Sequence, residues 1–464
     1  MESTDSYRDA ISTVDKKGKR VWIYPKKPSG KWHRRRLWIG YSLVALLFAG
    51  PHIRIAGEPL LLFNVLERKF ILFGQIFWPQ DFHLFAIAMV TAVVCVTLFT
   101  VIFGRLFCGW ACPQTVFLEL IFRKIEYWIE GDRNHQKKLN SSPWTAEKVV
   151  KKSAKHIVFW GISFLIANSF LAYIIGSEEL WAIQIDDPSH HIGGLIALSI
   201  FTTIFYLVFA KLREQVCTTI CPYGRLQSVL LDSKSLVVAY DHKRGEGRGK
   251  LKKNENRQEV KKGDCIDCSQ CVDVCPTGID IRNGTQLECT NCTACIDACD
   301  FMMKKVGMDE GLIRYASENE IQTGQKFKWN LRTRSYSFLL VALMALLVFL
   351  IVTRSNFEAS IYRQRGTTVR AFSDTQYSNT YEFTLINKTN LDQDFTIQLI
   401  KGNGEIQLIG TDLTLPKQGS VNGTFLIITD KDKVKPRKNP ITIGILSDGV
   451  VIEKIDLSFM GPLL

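Results

Sequence analysis

Cysteine is missing from the last third of the chain. All thirteen cysteines lie between Cys95 and Cys299. This distribution argues against an exterior built on disulfides and points to metal ligation. We also expect no signal peptide, because Met1–Arg36 is too polar and lacks a cleavage pattern before the first apolar run. With 46% hydrophobic and 22% charged residues, the composition excludes disorder, collagen and a small disulfide scaffold.

Long apolar runs alternate with strongly polar segments, which is typical of a membrane protein with large water-soluble parts. A helix that crosses a bilayer needs about 20 predominantly apolar residues. Five runs are predicted to be spans: Leu37–Ile55, Leu84–Phe103, Ile157–Ile175, Gly194–Ala210 and Phe338–Val352. A sixth run, Leu60–Phe77, is interrupted by polar and charged residues, so we expect it to be interfacial or re-entrant.

Lys and Arg predict the orientation of these spans, because cytoplasmic loops carry the excess of positive charge. Eleven Lys and Arg precede the first run and nine lie in Arg123–His156, whereas Gly176–Gly193 has none. The N-terminus and Lys211–Ser337 are therefore predicted to be cytoplasmic, and the C-terminal region to lie outside. This predicts a multi-pass protein of the bacterial inner membrane.

The net charge of +13 does not indicate a nucleic-acid partner. The basic residues cluster beside the apolar runs, where membrane topology and anionic lipid explain them. The basic stretch Lys243–Lys262 is accordingly predicted to be a solvated linker that faces lipid or docks a partner.

Eight cysteines follow the spacing of bacterial two-cluster ferredoxins. In such runs three closely spaced thiolates bind one cubane, and the fourth crosses to the other. One 4Fe–4S cluster is predicted to bind Cys265, Cys268, Cys271 and Cys299, and the other Cys289, Cys292, Cys295 and Cys275. Pro276 follows the first run, whereas Asp300 stands at the matching position of the second and puts the local turn there in doubt. A zinc ribbon would normally use two CxxC pairs and is disfavoured.

Two further cysteine pairs share the motif CxxxCP. One pair, Cys108 and Cys112, follows the second span, and the other, Cys217 and Cys221, follows the fourth span 109 residues later. The four-residue spacing predicts that both thiols of a pair lie on one side of a helix. If the two copies pack side by side, the four thiols form either a soft-metal site, for copper(I) or a third iron–sulfur centre, or a redox-active set of thiols. The alternative is two structural helix ends that never meet.

Charged residues precede both pairs. Arg105 and Arg213 each stand just before a motif, where a positive charge would lower the thiol pKa. The remaining cysteine, Cys95, has no partner in its span and is predicted to be a small buried apolar residue. The histidines of the predicted outer side, which could bind copper or a haem-type group, are expected to pack at helix ends: His52, His83, His190 and His191.

The C-terminal region has the pattern of an antiparallel β-sandwich. Short alternating runs, separated by turn residues, predict about seven strands of immunoglobulin type. The clearest are Thr380–Leu385, Phe395–Ile400, Gly423–Ile428, Ile441–Leu446 and Val450–Phe459. Since no catalytic cluster is visible there, we expect a docking role.

The predicted fold is a multi-domain one. It combines a five-span α-helical membrane domain, an inserted two-cluster ferredoxin-like α+β domain and a C-terminal all-β immunoglobulin-like sandwich. The expected boundaries are a basic N-terminus at 1–36, a four-span membrane domain at 37–227, the ferredoxin-type domain at 228–337, the fifth span at 338–355 and the outer domain at 356–464.

Taken together, these motifs resemble the cytochrome oxidase accessory proteins called CcoG, also FixG or RdxA. The resemblance covers nearly the whole chain and includes the stretch Phe73–Asp81, both CxxxCP motifs, the eight-cysteine segment and the sandwich. It implies a redox protein with cupric reductase activity that helps to assemble the cbb3-type cytochrome c oxidase. It also implies oxidase subunits or a copper chaperone as partners, and an electron donor that the sequence does not identify.

Two other functions fit the same residues. One is a membrane electron conduit to a periplasmic reductase, as in the related maturation proteins for nitrate and nitrous-oxide reductases, which share the spans, CxxxCP pairs and clusters. The outer sandwich after the last span favours the oxidase role over this one. The other is an assembly scaffold without redox activity.

Overall fold

In the computed structural model the chain divides into two compact units, residues 1–347 and 348–464, which are described separately. The structure describes all residues except 1–12, 16, 56, 65–68, 73–74, 78–80, 253–256, 258, 326–328, 356, 365–368, 390, 411–413, 418, 448 and 463–464. Trp78 and much of the stretch Phe73–Asp81 therefore lie outside the described residues.

The helices of the first unit follow the chain in the order listed here. They are α1 Lys31–Ala49, α2 Phe82–Phe103, α3 Leu106–Trp110, α4 Pro113–Val116, α5 Arg123–Ile129, α6 Arg133–Ser141, α7 Ala146–Ile175, α8 Ser177–Ile185, α9 Ile192–Leu207, α10 Pro222–Leu230, α11 His242–Gly245, α12 Gln270–Asp273, α13 Ala294–Lys305, α14 Glu318–Thr323 and α15 Leu331–Val352, the last of which runs into the second unit. Wider π-helical turns occupy Phe117–Phe122, Val208–Leu212 and Val216–Ile220.

Four helices in the described part of the chain are long and apolar enough to cross a membrane. They are α2, α7, α9 with its continuation to Leu212, and α15. Large apolar side chains on them, such as Val93, Ile196 and Phe349, are exposed. Continuous apolar exposure of this kind is typical of a surface that contacts lipid. The chain is therefore a membrane protein.

The predicted first span differs from the other four. We expected a fifth span at Leu37–Ile55, but α1 begins at Lys31 and ends at Ala49. Three arginines occupy its first two turns, and its apolar part covers only Leu37–Ala49, which is about 20 Å of helix. A single-turn 3₁₀ helix and short extended segments follow instead. By length and composition, the structure has four spanning helices where five were predicted.

The interrupted run after α1 is built from strands, not from a helix. Strands β1 Arg54–Ile55 and β2 Glu58–Pro59 pair with each other. Strands β3 Leu61–Asn64, β4 Lys69–Leu72 and β5 Gln75–Phe77 form a three-stranded antiparallel sheet. Ile71 is fully buried, and β3 packs against α7. This run therefore does not cross the membrane as a helix.

Both spans that precede a CxxxCP motif end in the same backbone bend. The bend lies four residues before the first cysteine of each motif, at Gly104 with φ 56° and ψ −134° and at Arg213 with φ 53° and ψ −124°. Glycine adopts a positive φ without strain, whereas a side chain there is unfavourable. The internal repeat seen in the sequence is thus also a repeat of backbone geometry.

The cluster module lies between α10 and α15. Two short strands, β6 Val237–Tyr240 and β7 Ile313–Ala316, pair antiparallel and frame the eight-cysteine segment. Helices α12 and α13 belong to the two halves of that segment and contact each other. The core of the module includes Val238, Ile279, Ile296 and Met303.

The second unit contains two facing antiparallel sheets. One has strands β8 Phe357–Arg363, β9 Arg370–Ser373, β10 Gln376–Asn387, β12 Glu405–Ile409 and β14 Ser420–Asp430, and the other has β11 Gln393–Lys401, β13 Thr414–Leu415, β15 Lys438–Ser447 and β16 Val450–Met460. Tyr381 and Phe425 stack at 5.4 Å between ring centroids in the core. The five predicted runs all fall in strands, which confirms the predicted sandwich.

A buried network of ion pairs joins the helices beneath the cluster module. Arg213 donates two hydrogen bonds to Glu126, at 2.6 and 3.0 Å. Arg123 pairs with Glu119 at 2.6 Å and with Glu214 at 3.1 Å. Lys155 of α7 extends the network to Glu126 and to Glu130. Arg213 is therefore held in its unfavourable backbone conformation by a bidentate ion pair.

Removing Glu126 should destabilise the protein strongly. Glu126→Ala leaves Arg213 buried without its bidentate partner, and loss of one member of a buried pair costs about 3–5 kcal/mol. Thermal unfolding of the detergent-solubilised protein, followed by circular dichroism, should show a clear fall in the midpoint. The matched control is Glu147→Ala, since Glu147 pairs with Lys151 at the exposed start of α7. Equal midpoints for both variants would contradict the structural role of Glu126.

Candidate iron–sulfur and thiol sites

Two small cavities lie inside the cluster module. Cluster site 1 is the cavity whose lining includes Cys265, Cys268, Cys271 and Cys299. Cluster site 2 is the cavity whose lining includes Cys275, Cys289, Cys292 and Cys295. These are the two sets that the ferredoxin spacing predicts, with the fourth cysteine of each run crossing to the other cavity. The donor sets fit two 4Fe–4S clusters.

Left-handed residues turn each cysteine run around its cavity. Asp267 and Ser269 have φ 52° and 55°, and Asn291 and Thr293 have φ 53° and 65° at the same positions 24 residues later. Short polar residues tolerate this conformation better than other side chains do. Because the chain reverses twice within seven residues, three thiols of each run line the same cavity.

Asp300 stands where a proline was expected, but the chain around it is held by its own contacts. Helix α13 continues through Cys299 and Asp300 to Lys305. The Asp300 carboxylate accepts a hydrogen bond of 2.8 Å from the backbone N–H of Gly311 and so holds the following loop. In the first half, by contrast, α12 ends at Asp273, before Cys275 and Pro276.

The cysteines of each CxxxCP pair do not share a helix, contrary to the prediction. Cys108 lies in α3 and Cys217 in a π-helical turn, whereas Cys112 and Cys221 are extended, with ψ 125° and 113°. The reason is the following proline, which disfavours the helical conformation for the residue before it. Pro113 and Pro222 then begin α4 and α10, where the missing N–H has no consequence.

The structure places the two CxxxCP motifs side by side. Burial raises the pKa of Cys217 to about 12, and the neighbouring Cys112, Cys108 and Cys221 thiols raise it as well. The two copies are also tied directly, since the Cys108 thiol donates to Gln227 Oε1 at 3.0 Å and Gln114 donates to the Arg213 carbonyl at 3.3 Å. We call Cys108, Cys112, Cys217 and Cys221 the thiol site.

The two arginines before the motifs behave differently from the prediction. Arg105 lowers the pKa of Cys108, but burial outweighs it and the pKa rises to about 11. Arg213 points away towards Glu126. Both Cys108 and Cys217 are therefore protonated near neutral pH, and a metal that binds them must displace the protons.

The thiol site sits directly on the loop of cluster site 2. A Cβ atom on Gly109, inside the first CxxxCP motif, would come within 2.4 Å of the Thr290 carbonyl, which shows how closely the backbones pack. The next residue, Trp110, donates through Nε1 to the Asn291 carbonyl at 3.3 Å and to the Tyr315 hydroxyl at 3.1 Å. Thr290 and Asn291 lie between two ligands of cluster site 2, so the thiol site and cluster site 2 share one packed interface.

Several residues of this interface were not predicted from the sequence. Gln227, Trp110 and Asn291 are uncharged and carry no motif of their own. Some charged members of the ion-pair network could have been predicted from the sequence, because Glu119, Arg123 and Glu126 recur at helical spacing within a largely apolar segment.

Among the described residues, no three or more His, Cys, Asp or Glu side chains lie close enough to hold a single metal ion. For the thiol site it means that the four sulfurs do not converge on one ion in this structure. His190 and His191 lie near Asp186 at the exposed start of α9, and Cys95 is exposed on α2, not buried as predicted.

Three known family models match separate parts of the chain. A model described as a 4Fe-4S dicluster domain matches residues 212–318, and one described as a 4Fe-4S binding domain matches residues 82–134. A third, described as an IG-like fold at the C-terminal of FixG, matches residues 347–462. Together with the cavities and the apolar helices, these matches define a membrane-associated iron–sulfur electron-transfer protein.

Three relatives identify the family. Protein RdxA of Cereibacter sphaeroides is 35% identical over 423 residues, which cover 88% of each chain. Protein RdxB of the same organism is 32% identical over 89% of this chain and 90% of its own. The nitrogen fixation protein FixG of Rhizobium meliloti is 36% identical over 64% of this chain and 58% of its own. The chain belongs to the RdxA and FixG family, as the resemblance in the sequence predicted.

The iron content should distinguish the possible occupants of the thiol site. Two cubanes predict about eight irons and eight labile sulfides per chain after anaerobic purification. The match at residues 82–134 includes Cys108 and Cys112, so a third cluster is the competing outcome and would give about twelve irons. Metal and sulfide analysis of the wild type and of the four-serine variant of the thiol site decides between them. A zinc-rich, iron-poor protein would contradict both.

Proposed function

We propose that this protein is a membrane cupric reductase: electrons pass from the two cluster sites to the thiol site, where copper(II) is reduced to copper(I). The observation that carries this proposal is the packing of Gly109 and Trp110 against the loop of cluster site 2. Electron transfer needs redox centres that lie close together with protein packed between them. Among the described residues, this interface provides that connection for the thiol site.

The two cluster sites are themselves adjacent. Cys271 lines both cavities, so one residue separates them. A 4Fe–4S cluster supplies single electrons and carries out no bond chemistry of its own. The role of the protein is to hold the sites in sequence, with cluster site 2 between cluster site 1 and the thiol site.

The thiol site has the chemistry to favour the product. Copper(II) prefers nitrogen and oxygen ligands, whereas copper(I) prefers thiolates. Each copper(II) takes one electron from the cluster sites, and the cysteines that bind the copper(I) formed release their thiol protons. Burial of Cys108 and Cys217 raises the pKa of both thiols, so copper binding should strengthen as the pH rises.

The family resemblance supports a role for this copper(I) in assembling a cbb3-type cytochrome c oxidase. The partners would be oxidase subunits or a copper chaperone, docked on the β-sandwich of the second unit. The electron donor would be a low-potential one-electron carrier on the side of the cluster module.

We further propose that the cluster module faces the cytoplasm and the sandwich faces the periplasm. The start of α1 contacts the module, since the Trp32 and His33 N–H groups donate to Asp297. Its end contacts the far end of α7, where the Tyr173 hydroxyl donates to the Leu46 carbonyl. Although its apolar part is short, α1 therefore extends alongside α7 through the membrane domain, and this agrees with the charge pattern of the loops.

Reporter fusions should test this orientation. A phosphatase that is active only outside the cytoplasm should be active after Leu464 and inactive near Lys250, and a cytoplasmic fluorescent reporter should show the reverse. If both positions report the same side, the assignment of the sandwich to the periplasm is wrong.

The thiol site should act as one unit. Each Cys→Ser change at Cys108, Cys112, Cys217 or Cys221 should reduce the rate of cupric reduction nearly as far as the four-serine variant does, because losses are non-additive for groups that act together. Cys95→Ser is the matched control and should retain the wild-type rate. The ferredoxin-type paramagnetic resonance signals should survive in every variant. Small additive losses would show that the pairs act separately, and an unchanged rate in the four-serine variant would show that copper is reduced at another site. Absence of cupric reduction by the wild type would favour a conduit or a scaffold.

A further inference from the structure

Two buried arginines lie between the thiol site and cluster site 2. Arg36 is 2% exposed, and its Nε donates to the Gly109 carbonyl at 2.6 Å. Arg105 is 5% exposed, and its Nε lies 3.4 Å from the Gln227 Oε1 that also accepts from Cys108. Both guanidinium groups are thus held at the interface that connects the two sites.

Neither arginine has an acidic partner in the part of the chain that the structure describes, although Arg123 and Arg213 nearby are paired with glutamates. A buried charge without a counter-charge is strongly unfavourable. These two cations therefore require a negative group close by. Four thiolates and a reduced cluster in cluster site 2 would supply it.

The positions of the two arginines support cluster site 2 as the source of this negative charge. Gly109, whose carbonyl accepts from Arg36, packs against the Thr290 carbonyl between Cys289 and Cys292, and Arg105 directly follows Gly104, which packs against Asn291 between the same two cysteines. Both cysteines line cluster site 2.

Unpartnered polar groups also collect around cluster site 2. The Nη2 of Arg36, the Oγ1 of Thr290 and the Nδ2 of Asn291 are buried and have no hydrogen-bond partner among the described residues. Buried polar groups are nearly always satisfied. Of the three, Thr290 lines cluster site 2, and its unpartnered hydroxyl indicates a ligand with acceptor atoms there, as the sulfurs of a cluster are. At cluster site 1 the Tyr240 hydroxyl is such a group.

The charges around cluster site 1 have the opposite balance. Arg282 lines that cavity, but it is paired with Asp280 and Asp267. Arg257 donates to the Cys265 carbonyl, and Asp300 lies beside Cys299. Arg248 lies over the ring of Tyr240, which lines the cavity, and pairs with Glu246. Three cations therefore face four carboxylates there. At cluster site 2, the cations Arg36, Arg105 and Arg123 face the two glutamates that pair with Arg123.

We propose that Arg36 and Arg105 raise the reduction potential of cluster site 2 above that of cluster site 1, and so set the direction of electron transfer towards the thiol site. Net charge and hydrogen bonds to sulfur are the protein's main controls on the potential of such clusters. One electron from a low-potential one-electron donor enters at cluster site 1, passes to cluster site 2 and leaves through the thiol site. The identity of the final electron acceptor rests on the proposed function, whereas the difference between the two potentials does not.

The test is a redox titration of the full-length protein in detergent, followed by paramagnetic resonance. Arg36→Gln and Arg105→Gln should each lower the higher of the two potentials. At a fixed applied potential, the reduced fraction relative to the oxidised one should fall about tenfold, which is about 59 mV for one electron. Arg36→Lys retains the charge, so its higher potential should stay close to that of the wild type. Arg282→Gln should lower the other potential and so assign it to cluster site 1.

The matched control is Arg34→Gln, which removes the same charge from an exposed position on the same helix. It should move neither potential. The proposal is overturned if Arg36→Gln and Arg105→Gln leave the higher potential unchanged, or if they move only the one assigned by Arg282→Gln. If Arg36→Gln loses iron, Arg36→Lys distinguishes the two explanations. Full iron content with the wild-type potential in Arg36→Lys supports the proposed role of the charge, whereas loss of iron shows that Arg36 has a purely structural role. These potentials do not depend on copper, so a failure of cupric reduction is recognised separately.

Discussion

The contact between Gly109 and the Thr290 carbonyl is the constraint on which the rest of the first unit depends. Two backbones approach each other there without an intervening side chain, and this is possible because position 109 has no Cβ atom. One backbone belongs to the CxxxCP motif that follows a membrane helix, and the other lies between two cysteines of cluster site 2. Membrane domain and cluster module are consequently one packed unit rather than two domains joined by a linker.

The buried ion pairs connect the same two parts of the first unit as that contact does. Arg123 donates to the Pro276 carbonyl, immediately after Cys275, while its other contacts are glutamates of the membrane domain. Ion pairs buried at such an interface add little net stability, because desolvation offsets their attraction. Their geometry is nevertheless specific, and they fix the register between the helices and the module. Arg36 and Arg105 differ in kind, since no acidic side chain among the described residues forms an ion pair with either.

Much of this organisation could be predicted from the sequence. The spacing of eight cysteines gave the lining of both cavities, because thiols so close in sequence have few ways to surround a cubane. The alternation of apolar residues gave the strands of the sandwich. The conformation of Cys112 and Cys221 was missed although the signal was present, since a proline follows each. The roles of Arg36, Gln227 and Arg213 were not accessible, because their partners lie between 73 and 119 residues away in sequence.

The bend shared by the two repeats has a consequence for the order of folding. In the first repeat the bend falls on Gly104, which adopts it unaided, whereas in the second it falls on Arg213, which adopts it while held by Glu126. Glu126 belongs to the segment that follows the first repeat and leaves the ribosome earlier. The bend of the second repeat therefore depends on a side chain from the first half of the chain, whereas the bend of the first repeat does not. We expect the second bend to form only after the segment that carries Glu126 is in place.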